Sequence, residues 1–129
     1  MSDPTPRHGR AILVVEDDVD VRESLVEAVE STGRRVFAAS DGQAALRILE
    51  KGGVPRPCLV MLDWRMSPMG GEEFLRRLQQ RPDAAQLPIV VISGSRQTPP
   101  GTPPLPGVVA VLQKPFGIEK IRALLDEHG

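Results

Sequence analysis

Four short apolar runs in this chain end in side chains that could do chemistry together. "AILVV" runs into Glu16 and Asp17, "CLVML" into Asp63, "PIVVI" into Ser93 and "VVAVLQ" into Lys114. Three carboxylates brought to one place repel one another and raise their own pKa values. A divalent cation removes that conflict. Mg²⁺ takes oxygen ligands, keeps several waters, and is typically held by one or two carboxylates plus phosphate oxygens. A lysine and a hydroxyl on the far side of the same site suit a phosphoryl group, one by charge and the other by a hydrogen bond. The set points to phosphoryl transfer onto a carboxylate, driven by positioning and charge neutralisation. Each residue also has a plain structural explanation. Asp17 and Asp18 suit the start of a helix, Asp63 a loop, Ser93 a turn and Lys114 the surface. Their joint placement at the ends of successive runs favours the chemical reading for all but Asp18, which reads as a cap.

These residues meet only if the runs are neighbouring strands. Between the runs lie segments of helical period. Val21, Leu25, Ala28, Val29 and Thr32 recur on one face after Asp18, with Gly33 as the stop. Asp41 caps a second helix with Ala45, Ile48 and Leu49 inward. A third spans 70–82 with Phe74, Leu75 and Leu78 inward, closed by Pro82. The last carries Ile118, Ile121, Leu124 and Leu125. Strands are expected at 11–15, 34–39, 57–63, 87–93 and 107–113. Strands apolar on both faces, separated by amphipathic helices, imply a parallel sheet covered on both sides. The expected architecture is an α/β, doubly wound, five-stranded sheet of flavodoxin-like order 2-1-3-4-5, with its ligand site at the carboxyl ends of the strands.

Composition narrows the function. The 129 residues suit one domain, with 1–9 a disordered leader and 10–129 the folded part. Sixteen basic against seventeen acidic residues leave a formal charge of −1, so no footprint for nucleic acid or a membrane surface is present. The single Cys58 cannot form an internal disulfide. It reads as a buried hydrophobe, and the setting as cytoplasmic. No apolar run is long enough to span a bilayer. A flavodoxin-like cofactor binder would offer a phosphate cradle after the first strand, where this chain has Glu16-Asp17-Asp18. The chain has no glycine-rich P-loop and no GxGxxG. Zinc is disfavoured, because His8 and His128 lie at opposite ends.

In its motifs the chain resembles the response regulator receiver domains of two-component signalling, over about residues 10 to 128. The matching segments, in order, are "ILVVEDD", "AASDGQAAL", "LVMLDWRMSPMGG", "LPIVVISG" and "LQKPF". The resemblance implies that Asp63 accepts a phosphoryl group from a phosphohistidine on a sensor histidine kinase or phosphotransfer protein. It implies that Asp17 binds Mg²⁺ directly, that Glu16 acts largely through water, and that the Arg65 backbone carbonyl is the remaining protein ligand. It further implies that Ser93 and Lys114 hold the phosphoryl oxygens, and that a cis Lys114-Pro115 peptide aims the lysine inward. Slow autodephosphorylation completes what the family implies; signalling to a downstream protein by contact is expected because no effector domain is read within these residues.

Three departures stand out. The loop after Asp63 carries its proline one place late, at Pro68. The family's aromatic switch position falls on Val111, which cannot swing as a tyrosine or phenylalanine does. Where the family has its fourth helix, "SRQTPPGTPPLPG" (95–107) places five prolines. One fits a helix start; the other four would cost on the order of 10 kcal/mol, against a whole-domain stability of roughly 5–15 kcal/mol. No regular helix is expected there. In polyproline form, at about 3.1 Å per residue, the segment is long enough to cross back along the sheet. It is read mainly as a connector, and alternatively as exposed polyproline surface for a partner.

The leading expectation is thus a phosphoacceptor receiver with an altered output face and no effector domain within these residues, either standing alone or cut from a larger regulator. The alternative is a pseudo-receiver, a phosphorylation-independent binding module. A phosphatase of the haloacid-dehalogenase kind is a third reading, but it would want an acid where Arg65 stands.

Overall fold

Local chemistry sets each element in turn. All five residues of β1 (Ala11–Val15) are buried. Asp18 then breaks the extended run and starts α1 (Val19–Glu30), its Oδ1 accepting the Val21 N–H at 3.1 Å. After α1 the chain reverses through Gly33, whose φ of 86° only glycine adopts cheaply. Next comes β2 (Val36–Ala39). Asp41 opens α2 (Gly42–Glu50) by the same device, accepting the Ala44 N–H at 2.8 Å. β3 (Cys58–Asp63), α3 (Gly71–Gln79), a 3-10 turn (Ala84–Gln86), β4 (Ile89–Ser93), β5 (Val108–Gln113) and α4 (Ile118–His128) complete the order. This computed structural model describes residues 11–52, 58–64, 71–93, 107–114 and 116–128.

All four strand pairings are parallel, and the order is β2-β1-β3-β4-β5. The doubly wound architecture expected from the sequence is therefore present. Alternate residues of the central strands feed two cores. Leu13, Val60, Leu62 and Val91 pack with Ala45, Leu49, Phe74 and Leu78 of α2 and α3. Ile12, Val14, Met61 and Ile92 pack with Leu25, Val29, Ile121 and Leu125 of α1 and α4. Parallel strands buried on both faces need this double cover.

The edges depart from that pattern. On β5, Ala110 and Leu112 pack toward α4, but Val109 and Val111 are each 42% exposed. The expectation of a strand covered on both faces is corrected here: Val109 and Val111 stand outside both cores, while α4 covers the face that carries Ala110 and Leu112. Ile118 of the expected inward face of α4 is also exposed, at the first residue of the helix, while Ile121 and Leu125 are fully inside. α3 ends at Gln79, three residues before Pro82. The expected leader (1–9) and the proline segment at 95–106 lie outside the described residues. The four α-helices among the described residues belong to the other three crossovers and to the C-terminal end.

Candidate functional site

The carboxyl ends of β1, β3 and β4 stand side by side, so the residues that end these strands gather at one edge of the sheet. The Glu16 N–H donates to the Ala39 carbonyl at 3.1 Å, extending the β1–β2 ladder by one residue. Its carboxyl group turns inward and is 1% exposed. Glu16 Oε2 accepts the Asp18 N–H at 3.2 Å, and Arg22 Nη1 donates to the Glu16 carbonyl at 2.9 Å. With Asp18 capping α1, the acidic turn is held from both sides. Asp17 stands between these anchors, exposed.

Asp63 is the last residue of β3, paired with Ile92 of β4, and is 4% exposed. The next residue keeps the ladder intact, the Trp64 N–H donating to the Ile92 carbonyl at 2.9 Å. Ser93 closes β4 and is buried. Its carbonyl accepts the Lys114 N–H at 2.9 Å, which carries the lysine to the same edge. Lys114 Nζ then reaches within 3.8 Å of Glu16 Oε1 and 4.0 Å of Asp63 Oδ1.

Carboxylate oxygens of Glu16, Asp17 and Asp63 all lie within 4.8 Å of one another. Burial pushes the Glu16 carboxyl up to about 8. The neighbouring Asp63 adds to the rise, while the Asp18 N–H and the Lys114 ammonium oppose it. Glu16 Oε1 is buried without a hydrogen-bond partner. Fully ionised, the three acids and one lysine would leave two negative charges in a largely buried corner. That donor set fits a divalent cation with a preference for oxygen.

The structure thus brings together Glu16, Asp17, Asp63 and Lys114, with Ser93 on the adjoining strand end. Val111 sits on β5, opposite Val91, exposed and without any polar group. The Arg65 carbonyl and the Lys114-Pro115 peptide lie outside the described residues. Two site-shaping residues escaped the sequence reading. Arg22 ties the acidic turn from α1; its signal was an arginine one turn after the Asp18 cap. Gly71 opens α3, donating its N–H to the Trp64 carbonyl at 3.1 Å. A Cβ there would meet that carbonyl oxygen at 2.8 Å, so only glycine lets the helix start this close to the end of β3. The double glycine before a helix was the available clue.

Comparison with known proteins identifies a family and a fold. Residues 12–126 match the model of the response regulator receiver domain. The chain is 34% identical over 115 residues to the KDP operon transcriptional regulatory protein KdpE of Escherichia coli (strain K12), a match covering 88% of this chain and 48% of that protein. It is 32% identical over 117 residues to sporulation initiation phosphotransferase F of Bacillus subtilis (strain 168), covering 91% of both. A CheY-like receiver domain protein from Methanospirillum hungatei JF-1 superposes with a TM-score of 0.77 at 22% identity, over 91% of each chain. The chain spans about half the length of several of the curated relatives it matches, KdpE among them.

Proposed function

The chain belongs to the response regulator receiver domain family of two-component signalling, and on that premise we propose that it is a phosphoacceptor whose acceptor is Asp63. The carrying observation is the convergence of the Glu16, Asp17 and Asp63 carboxylates within 4.8 Å, with the Lys114 ammonium 4.0 Å from Asp63. The donor is a phosphohistidine on a sensor histidine kinase or phosphotransfer protein. An Asp63 oxygen forms the new P–O bond as the P–N bond breaks and the imidazole leaves with its partner. Glu16 and Asp17, with Asp63 and the Arg65 carbonyl, would hold Mg²⁺, which supplies charge neutralisation for the incoming phosphoryl oxygens. Lys114 pairs with one phosphoryl oxygen, and the Ser93 hydroxyl donates to another. The same groups leave the acyl phosphate open to slow hydrolysis.

A chain whose only cysteine, Cys58, is buried as a thiol suits a reducing, cytoplasmic setting. Among the described residues no helix is long and apolar enough to cross a membrane. Output passes to a downstream protein by contact. Incubation with acetyl phosphate and Mg²⁺ should give one phosphoryl adduct by intact mass, labile in base and lost in Asp63→Asn. A protein that stays unmodified while binding Mg²⁺ would favour the second reading, a phosphorylation-independent binding module. The valine at position 111, exposed where the family carries a switching aromatic, is the observation on its side.

A further inference from the structure

On a different face from the acidic corner, α2 and α3 enclose a groove of two adjoining lobes, about 420 and 290 Å³ in volume. The lobes share Leu46, Glu50 and Arg77, so they form one continuous trough, and none of the acidic-site residues lines it. Leu46 is its apolar floor, half-buried. The walls are rich in arginine, and those arginines divide into two kinds. Arg77 is bonded to Glu73 at 2.9 Å, one turn away, and Arg81 grips Asp83 at 2.9 and 3.2 Å. Arg47 on α2 and Arg76 on α3 are exposed and engage no carboxylate among the described residues. Two unspent guanidinium groups therefore face a trough whose floor is a leucine.

We infer that this trough docks an acidic amphipathic segment of a partner protein, with carboxylates meeting Arg47 and Arg76 and an apolar side chain over Leu46. Guanidinium groups match carboxylates in paired geometry and are weakly hydrated, so they lose little on being covered. A trough between two helices, with apolar floor and charged walls, is the shape that takes an amphipathic helix. A compact polyanion fits less well, because Glu50 and Glu73 stand in the same walls and repel concentrated negative charge. A segment that spaces its acids can avoid them. Nucleic acid is disfavoured further by the chain's formal charge of −1. The inference is independent of phosphoryl chemistry at Asp63.

The test uses the full chain and three fluorescent probes followed by anisotropy: an amphipathic helical peptide with glutamates flanking a central leucine, the same peptide with lysines, and a single-stranded oligonucleotide. The acidic peptide should bind at least about tenfold more tightly than the lysine peptide, with affinity falling as salt rises. The double variant Arg47→Glu/Arg76→Glu should reverse that preference. Both sites are exposed, and circular dichroism of the variant should match that of the wild type. Amide shifts caused by the acidic peptide should map to α2 and α3. Equal binding of the two peptides, shifts confined to other elements, or tighter binding of the oligonucleotide each overturns the inference.

Discussion

The Lys114 ammonium stands 3.8 Å from Glu16 Oε1, an oxygen buried without a hydrogen-bond partner. At that distance the lysine is an electrostatic neighbour rather than a hydrogen-bond donor. It offsets part of the negative charge in the corner and cannot satisfy the oxygen. The Glu16 carboxyl accordingly holds its proton up to about 8, because burial and Asp63 outweigh the lysine.

Glu16 makes the stability of the protein depend on pH. Its ordinary value is 4.5; in the folded protein burial pushes it up to about 8. Between these values the folded state binds the extra proton, so raising the pH favours unfolding. The contribution is fully present below about 4.5 and is lost as the pH climbs through about 8. Urea midpoints should fall between about pH 5 and pH 8 by an equivalent of roughly 1–3 kcal/mol. Glu16→Gln should flatten the decline, and Mg²⁺ should stabilise the wild type most at the alkaline end. An equally steep decline in Glu16→Gln would show that another group is responsible.

The proposed Mg²⁺ site is testable through Trp64, the only tryptophan and the neighbour of Asp63 in sequence. Mg²⁺ titration should change its emission with a single saturable transition. Asp17→Asn and Asp63→Asn should each weaken that affinity by about tenfold or more, since each removes a hard anionic oxygen donor. Lys114→Met should tighten it, because a competing cation is gone. An unchanged affinity in Asp17→Asn would take that residue out of the site.

Arg34 is a structural rather than a chemical anchor. Its guanidinium is buried and donates to the Leu125 carbonyl at 2.9 Å, near the end of α4, with Asp126 at 3.4 Å. Arg34→Ala should cost about 2–4 kcal/mol in urea denaturation, because a buried helix-end carbonyl loses its donor and the chain loses packing. Asp126→Ala should cost under about 1 kcal/mol, since that carboxylate is largely exposed. Comparable losses for both would mean the ion pair, not the carbonyl bond, holds the helix.

Gly71→Ala tests the close start of α3. The added methyl would press on the Trp64 backbone, where nothing flexible can give way. A loss of roughly 1–3 kcal/mol is expected, with slower phosphorylation from acetyl phosphate because the end of β3 must shift. A variant of wild-type stability would show that α3 moves freely relative to β3.

The caps, the turn at Gly33 and the strand order were legible because their signals are local or topological. Asp18 and Asp41 bond to their own helices within three residues, and a parallel sheet has few ways to wind. Asp63 and Lys114 were readable as strand-end residues for the same reason. What escaped depends on distant partners. Arg34 reaches a carbonyl 91 positions away, and no window of sequence carries that pairing. The exposure of Val109 and Ile118 likewise depends on which layer ends where. Helical period predicts a face, but not how far its neighbour extends along it.

The central claim is that an Asp63 carboxylate oxygen is the acceptor, and one measurement tests it most directly. The protein is treated with acetyl phosphate and Mg²⁺, reduced with borohydride, digested and sequenced by tandem mass spectrometry. An aspartyl phosphate is reduced to homoserine, whereas an unmodified aspartate is not. Conversion is expected at Asp63 alone, dependent on Mg²⁺ and absent without the phosphodonor. Conversion at Asp17 or any other acid, or none at all in a protein that binds Mg²⁺, would contradict it.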